Sequence, residues 1–333
     1  MEITHLLTFF QCEGLIIEAP ITLRNYQILP DKEKISAILN QPYVKHQMGA
    51  LYTDNAPEVC IVQVEHLLSF KFDEKKFYKD LHNCSHFFTE VFDLMWLERD
   101  HSISLKAGFK FLVDEKGHYS KPIFSAQTSS EVSTLLDGSL NITAFSEQEI
   151  LSAVSRLEKI EKAHPEVKDI DPTFTTLHKT RSYSSALLNE ADYKTFTKID
   201  IIRLFLRMYR STPVMIQKIA FAGPIFDCLF GCSETGEITY KISMRIAKYI
   251  GGTNEEQEET FNTVSDIYNI RSRFLHGGIV KPKGETTIKE LAEKCDKLLR
   301  RIYIKVLDND MEMFIKTKDE KLKDHFNSLV WIN

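Results

Sequence analysis

The chain has 333 residues, of which 43% are hydrophobic and 27% charged, a composition typical of a globular protein long enough for two domains. No apolar run reaches the ~18 residues needed to cross a bilayer, and the acidic Glu2 does not fit the basic start of a signal peptide. The six cysteines include no C-x2-C pair, so nothing argues for disulfide bonds or an oxidising compartment. These observations predict a cytoplasmic protein with reduced thiols.

The first 130 residues are predicted to be mixed α/β. Strand-like runs occur at Ile3–Phe10, Gly14–Glu18, Ile21–Ile28, Val59–Phe72, Ser102–Val113 and His118–Ala126. The last two runs are joined by a turn that contains Gly117, which predicts a β-hairpin. Apolar residues recur at helical spacing from about Glu74 to Glu98. This half has no phosphate-binding glycine loop, nucleophile elbow or H-E-x-x-H motif, so its predicted role is sensing or regulation.

The segment His82-x-Cys84-x-His86 places two histidines four residues apart, a spacing that could in principle hold a metal ion. No second ligand pair stands at a convincing distance in the sequence, and the surrounding helix is amphipathic. Two surface or half-buried histidines are therefore the favoured interpretation, and we predict neither a metal site nor a cofactor.

Prolines divide the chain near its middle. A capping box at Ser146 begins a helix that runs to His164, and two X-Pro pairs then break the chain. We place the domain boundary around residues 165–180. It separates a mixed α/β domain over residues 1–170 from a helical domain over residues 178–333.

The second half is predicted to be almost wholly helical. Candidate helices are Asp192–Tyr209, Pro213–Phe230, Glu237–Ile250, Glu255–His276, Thr287–Leu307 and Asp319–Leu329. Pro224 is expected to kink or interrupt the second of them, because proline lacks the N–H that an internal helical residue donates. Each helix is amphipathic, so an antiparallel bundle is the simplest way to bury the apolar faces. The whole chain is thus predicted to be α+β.

Charge is distributed unevenly between the two halves. Residues 1–177 carry 17 Lys and Arg against 26 Asp and Glu, a balance of −9, whereas residues 178–333 carry 25 against 21, a balance of +4. A polyanionic ligand would prefer the basic half electrostatically. An acidic companion domain would repel that ligand or mask its site.

The helix predicted over Glu255–His276 carries an arginine within its apolar stripe. Seven residues share one face at about 100° per residue: Phe261, Val264, Ile267, Tyr268, Ile270, Phe274 and Leu275. Arg271 falls near the middle of that face, where a guanidinium is costly to bury without a partner. His276 follows five residues later near the polar edge, and Gly277 is a natural residue for ending the helix.

Residues Tyr268 to Gly278 read Y-x-x-R-S-x-F-x-H-G-G, which resembles the R-x4-6-H signature of the HEPN superfamily of all-helical RNases and nucleotide-binding proteins. The similarity is closer to the Apea-like HEPN branch of prokaryotic anti-phage proteins and covers about the last 155 residues. The resemblance implies a metal-independent endoribonuclease, the toxic effector of an abortive-infection system, with Arg271 and His276 as catalytic residues. It also implies a homodimer in which two motif helices share one cleft.

RNA cleavage needs no metal in principle, because RNA carries its own nucleophile, the 2′-hydroxyl. It needs a base for that hydroxyl, an acid for the leaving 5′-oxygen and positive charge beside the phosphorus. Histidine titrates near neutral pH, so His276 can serve as acid or base. Arg271 supplies permanent charge in a fork that matches two phosphate oxygens. One chain offers a single histidine in this motif, so a two-fold dimer makes the shared cleft reasonable.

Five further residues are candidates for supporting or substrate-binding roles. Tyr268 and Ser272 would line the wall of the cleft, although many HEPN proteins have Asn, Asp or His at the position of Ser272. Arg273, Lys281 and Lys283 could track the RNA backbone, or they belong to a solvated charged loop. The predicted partners are RNA, a second copy of the chain and a phage-derived trigger or regulatory partner at the N-terminal domain, without a membrane.

Two other interpretations stay open. A catalytically silent HEPN module would bind nucleotide or RNA without cleaving it. A purely structural module would bury Arg271 against Glu237 or another carboxylate and leave His276 as an ordinary helix cap. An open cleft with His276 exposed across a dimer axis would exclude the structural interpretation.

Overall fold

The computed structural model of the chain describes residues 3–48, 58–66, 74–114, 116–126, 132–163, 173–177, 180–184, 196–234, 236–281 and 286–331. A mixed region of sheet and helices is followed by a cluster of helices, so the predicted α+β class is confirmed. Among the described helices, none combines the length and the apolar character needed to cross a membrane.

Six antiparallel strands form the sheet of the N-terminal region. They are β1 (Ile3–Glu13), β3 (Ile21–Leu23), β4 (Tyr26–Leu29), β5 (Val59–His66), β6 (Ser104–Asp114) and β7 (Tyr119–Ala126), in the order β3-β4-β5-β1-β6-β7. A separate parallel bridge joins β2 (Leu15–Ile16) to β8 (Thr143–Ala144). The long strand β1 is central, since β5 pairs with one of its edges and β6 with the other.

One predicted strand is in fact two strands. The run Ile21–Ile28 folds as a hairpin in which Ile21 pairs with Ile28. The turn contains Arg24 in the left-handed region, with φ of 55°. The turn uses neither glycine nor proline, and its turn-favouring residue is Asn25. The predicted strand Val59–Phe72 is β5 up to His66, and residues 67–72 lie outside the described part of the chain.

Alternating residues of the sheet face two different layers. One face packs against α1 (Lys32–Leu39) and α2 (Pro42–Met48), two helices that the sequence analysis does not predict. The other face packs against α3 (Glu74–Met95), in which Phe88 is fully buried. Gly108 lets the Phe10 ring lie over β6, because a Cβ on Gly108 would fall 2.2 Å from that ring.

The C-terminal region is built from seven α-helices among the described residues. They are α5 (Lys198–Ser211), α6 (Met215–Phe230), α7 (Ile238–Ile250), α8 (Asn254–Leu275), α9 (Ile288–Lys305), α10 (Met311–Lys316) and α11 (Asp319–Trp331). Of the predicted helix that starts at Asp192, residues 192–195 lie outside the described part. Pro224 lies inside α6 without interrupting it. The helix continues through it because α6 buries residues on most of its surface between its neighbours.

Helix α4 (Glu147–Ala163) links the two regions and begins at the predicted capping box. Three elements beyond it are absent from the sequence-based prediction. A π-helix (Val306–Asp310) continues directly from α9, and strands β9 (Thr173–Leu177) and β10 (Thr180–Ser184) pair with each other at the end of the predicted boundary segment and just beyond it. The π-helix brings Oδ2 of Asp308 to 3.1 Å from Nη2 of Arg156 on α4. That contact connects the segment that follows α9 to the linking helix α4.

An ionic cluster, buried at Glu90 and Arg210 and partly exposed elsewhere, joins α3 to α5. Its members, which we call the arginine junction, are Glu90, Asp93, Arg203, Arg207 and Arg210. Arg207 Nε lies 2.9 Å from Asp93 Oδ2, and Arg210 Nη1 lies 2.7 Å from Asp93 Oδ1. Glu90 pairs with both Arg203 and Arg207 and is 3% exposed. The apolar core is also continuous from the sheet to the last helix, so the two regions are packed together.

Candidate functional site

Helix α8, which carries the R-x4-H motif, has a well-defined end. The Gly278 N–H donates to the Arg273 carbonyl at 2.7 Å, and the Gly277 N–H donates to the Phe274 carbonyl at 3.3 Å. These two bonds form the Schellman pattern, which satisfies the last carbonyl groups of a helix. Gly277 has φ of 70°, so it is the residue after the cap, as the sequence predicts. His276 is therefore the C-cap.

Arg271 extends from α8 toward α6. Its Cδ lies against Gly223 of α6, where a Cβ would be only 2.5 Å from that carbon. Its Nη1 lies 3.2 Å from Oδ2 of Asp227, one turn further along α6. The Arg271 side chain is 29% exposed, so the guanidinium is paired without being enclosed.

Asp227 is held by a second residue of the motif. The Tyr268 hydroxyl donates to Asp227 Oδ1 at 2.5 Å, and Arg271 Cζ lies 5.7 Å from the centroid of the Tyr268 ring. Burial raises the pKa of Tyr268 above its ordinary value, and the neighbouring Asp227 carboxylate adds to the rise. The phenol therefore keeps its proton and stays a donor. Tyr268, Asp227 and Arg271 form a chain of polar contacts between α8 and α6.

Most of the hydrogen-bonding capacity of Arg271 is unused. Its contact with Asp227 is a charge pair, and among the described residues its guanidinium donates no hydrogen bond. A guanidinium carries five N–H donors in a planar fork. A partly exposed fork with free donors suits a planar or tetrahedral oxyanion such as a carboxylate or a phosphate.

His276 and Ser272 are exposed at the same end of α8. The backbone N–H of His276 donates to the Ser272 carbonyl at 3.1 Å, which keeps the two residues in the last turn. Leu275 and Ile279, which flank His276, expose 63% and 78% of their surface. An exposed imidazole thus belongs to a segment that also exposes two apolar residues, five residues along the chain from a partly exposed guanidinium.

The three cations predicted to follow an RNA backbone have different positions. Nη1 of Arg273 lies 3.5 Å from the Ile279 carbonyl oxygen and 3.4 Å from that of Lys281, to which it donates. Arg273 therefore braces the loop after α8. Lys281 is exposed, whereas Lys283 lies outside the described residues.

Sequence reasoning misses two residues of this site. Asp227, not the suggested Glu237, is the carboxylate that pairs with Arg271; Glu237 is the N-cap of α7. Gly223, which makes room for Arg271, is the other. A signal for both exists in the sequence, because residues four apart share one face of a helix. Nothing in the sequence, however, says which face of which helix lies opposite Arg271.

The predicted absence of a metal site remains a prediction. Among the described residues, no three or more His, Cys, Asp or Glu side chains are grouped so that they could hold a metal ion. In the His-x-Cys-x-His segment, Cys84 is buried and its pKa is raised by that burial, while exposed His86 lies 3.6 Å from Glu90. The side chain of His82 is outside the described part.

The candidate site therefore combines five residues from two helices and the turn that follows one of them. They are Gly223 and Asp227 of α6, Tyr268 and Arg271 of α8, and His276. The cation Arg271 and the imidazole of His276 lie within two helical turns along the chain, and the counter-ion Asp227 faces Arg271 from α6. Comparison of the chain with models of protein families, with curated proteins and with solved structures finds no match.

Proposed function

We propose that the chain is a metal-independent endoribonuclease of the HEPN type. The observation that carries this proposal is the state of Arg271, whose side chain is 29% exposed, pairs with Asp227 at 3.2 Å and, within the described part of the chain, donates no hydrogen bond. A permanently charged fork of this kind fits two oxygens of a phosphodiester. His276, exposed five residues later, is the residue that transfers protons.

The reaction uses the nucleophile that RNA itself carries. The 2′-oxygen attacks the adjacent phosphorus and the P–O5′ bond breaks. The proton of the 2′-hydroxyl goes to a base, and the leaving 5′-oxygen receives a proton from an acid. Arg271 stabilises the negative charge that develops on the phosphorane oxygens. The products are a 2′,3′-cyclic phosphate and a 5′-hydroxyl.

Base and acid are supplied by two copies of His276. One chain brings one such histidine, so both roles at one phosphate require a second chain related by a two-fold axis. The exposed apolar side chains of Leu275 and Ile279 beside His276 support this arrangement, because their burial favours association. Two copies of Arg271 and His276 then line one cleft.

In the cell, such a nuclease acts in the cytoplasm as the toxic effector of abortive infection, and its activity requires control. The mixed region is the proposed sensor, to which a phage-derived trigger or another regulatory partner binds. The arginine junction supports this division, because it ties α3 to α5, and α5 packs against α6. Since α6 carries Gly223 and Asp227, a shift of α3 reaches the site through two packed helices.

The test is incubation of purified protein with total cellular RNA, with and without EDTA, followed by mapping of the ends. We expect 2′,3′-cyclic phosphate ends in both conditions. Arg271→Ala and His276→Ala should each lower cleavage by about 100-fold or more while the melting temperature and the oligomeric state are kept. Arg301→Ala and His46→Ala are matched controls, since each removes an exposed residue of the same type elsewhere. Equal EDTA-resistant cleavage by all of these variants would end the proposal.

A catalytically silent module that binds nucleotide or RNA is the second candidate. It is favoured by Asp227, whose carboxylate already neutralises Arg271 and therefore opposes an incoming phosphate. This candidate predicts RNA binding that depends on Arg271 and is unchanged by His276→Ala. It also predicts that no cyclic phosphate product forms. A dimerisation module would show neither binding nor cleavage.

A further inference from the structure

Asp227 engages both of its carboxylate oxygens with residues of α8. Oδ1 accepts a hydrogen bond from the Tyr268 hydroxyl at 2.5 Å, and Oδ2 lies 3.2 Å from Nη1 of Arg271. The Asp227 side chain is 35% exposed, so it is partly open to solvent, as the guanidinium it pairs with is. It lies on α6, outside the R-x4-H motif.

We propose that Asp227 is the positioning residue for Arg271 and that its charge also limits phosphate binding at this site. This inference rests on the proposed ribonuclease function and assigns Asp227 two opposite effects in it. Asp227 lowers the affinity for RNA and raises the rate of cleavage.

The orientation of Arg271 is fixed from three sides. Gly223 leaves so little room that a Cβ on it would lie 2.5 Å from Arg271 Cδ. The Tyr268 ring centroid lies 5.7 Å from Arg271 Cζ, and Asp227 Oδ2 lies 3.2 Å from Nη1. Without that carboxylate the long side chain regains rotamer freedom. A misplacement of about 1 Å at a reacting phosphate costs up to about 100-fold in rate.

The same carboxylate opposes the substrate. A phosphodiester bound to Arg271 would bring a negative charge to within ~5–7 Å of Asp227, and the two like charges repel. At this half-exposed position solvent screens the repulsion, so its removal should raise affinity by about 3- to 10-fold. Asp227→Asn removes the charge and keeps an oxygen that can accept from Tyr268, so it changes the electrostatics with little change of shape.

The test compares KM and kcat for cleavage of a short RNA. For Asp227→Asn we expect a KM about 3- to 10-fold lower and a kcat about 10- to 100-fold lower. Tyr268→Phe removes the hydrogen bond to Asp227 and the long one to the Gly223 carbonyl at 3.5 Å but keeps the charge of Asp227, so kcat should fall by about 3- to 10-fold while KM stays unchanged. Asp324→Asn, which neutralises an exposed carboxylate of α11, is the matched control. A merely structural role for Asp227 would reduce the folded fraction without lowering KM.

A non-cleavable 2′-O-methyl RNA separates this inference from the ribonuclease proposal. If wild-type protein cleaves RNA but Asp227→Asn leaves KM unchanged or raises it, the role of Asp227 is overturned and the proposed function stands. If wild-type protein cleaves no RNA, the proposed function falls. The charge role of Asp227 then survives only if Asp227→Asn binds the 2′-O-methyl RNA more tightly than wild type, and it is overturned otherwise.

If Asp227→Asn does not fold, Asp227→Glu takes its place, because it keeps the charge and displaces it by one methylene. For this variant we expect an unchanged KM with a kcat about 10-fold lower. An unchanged kcat in folded Asp227→Glu would overturn the positioning role.

Discussion

Two arginines of the helical region stand in opposite surroundings. Arg210, in the arginine junction, is 2% exposed; its Nη1 lies 2.7 Å from Asp93 Oδ1, and its Nη2 donates to the His101 carbonyl at 3.3 Å. Arg271, near the end of α8, is 29% exposed and has a charge pair with Asp227 at 3.2 Å. Arg210 cannot leave its partners without stranding a buried charge. Arg271 is partly open to solvent, so its remaining N–H donors can bind a ligand while the pair with Asp227 is kept.

The histidines beside these two arginines differ in the same way. His101 is fully buried; its Nδ1 accepts from the Ile103 N–H at 3.1 Å, and its Nε2 lies 2.9 Å from the Phe92 carbonyl oxygen. This arrangement requires a neutral ring with the proton on Nε2. Burial lowers the pKa of His101 well below its ordinary value, and Arg210 lowers it further. His101 is thus enclosed against the junction, whereas His276 is exposed at the end of α8.

The largest expected effect comes from replacing each arginine by a methionine, which keeps an unbranched apolar stem and removes the guanidinium. Arg210→Met should lower the free energy of unfolding by about 3 kcal/mol, because it leaves buried acceptors and a carboxylate without their cation. Arg271→Met should cost less than about 1 kcal/mol, since its ion pair is partly exposed and screened. Urea denaturation of both variants at one pH measures the difference. Equal losses would contradict the contrast between the two surroundings.

Lys218 extends the junction and gives a pH-dependent test of it. Its side chain is 1% exposed, and burial lowers the pKa of Lys218 to about 8. Because its ordinary pKa in the unfolded chain is 10.5, the folded state binds fewer protons between these two values. The cost of burying the ammonium is therefore fully present below pH 8, and stability gains as pH rises from about 8 to 10.5. Between pH 7.5 and 9.5 this gain is about 2 kcal/mol.

Lys218→Met removes that titration, so the measurement is the difference in unfolding free energy between wild type and variant at pH 7.5 and at 9.5. As the pH rises from 7.5 to 9.5, the unfolding free energy of wild type should increase by about 2 kcal/mol relative to that of Lys218→Met. Other titrating groups contribute equally to both proteins and cancel in the difference. A pH-independent difference would mean that hydrogen bonds to the surrounding oxygens, such as the Tyr209 carbonyl at 3.1 Å, offset the burial.

The fold was predictable where its signals are local. The end of α8 follows from Gly277, and the β6–β7 hairpin follows from the turn with Gly117, because both glycines have the positive φ that the turn requires. The β3–β4 turn at Arg24 and the π-helix Val306–Asp310 have no such local signal. They depend on packing between distant parts of the chain, which a single sequence does not reveal.

The candidate site divides in the same way. The positions of Arg271 within α8 and of His276 at its end were predictable, because both follow from the pattern of one helix. Asp227 and Gly223 lie more than 40 residues earlier, on the helix that packs against α8. Their role depends on which face of α6 meets Arg271, and that face is set by the tertiary arrangement of the helices.

Gly223→Ala should change stability in opposite directions depending on whether Arg271 is present. In the wild-type background the new Cβ meets Arg271 Cδ at 2.5 Å, so we expect a loss of about 1 kcal/mol of stability. In an Arg271→Ala background the clash is gone, and alanine should stabilise the helix by about 0.5–1 kcal/mol relative to glycine. Thermal and urea unfolding of the four proteins in this cycle measure the coupling. The same sign in both backgrounds would mean that Arg271 is not held against α6.

The smallest expected effect separates two cations beside the site. Lys281 is exposed, whereas Arg273 donates to the carbonyl oxygens of Ile279 and Lys281. Each neutralised phosphate contributes about 0.7 to the salt dependence of single-stranded RNA binding. Lys281→Ala should therefore lower the slope of log affinity against log salt by about 0.7, and Arg273→Ala should weaken binding without changing that slope. The distinction holds because the contacts of Arg273 are with backbone groups of its own loop; an equal drop in slope for both variants would instead place Arg273 on the RNA backbone.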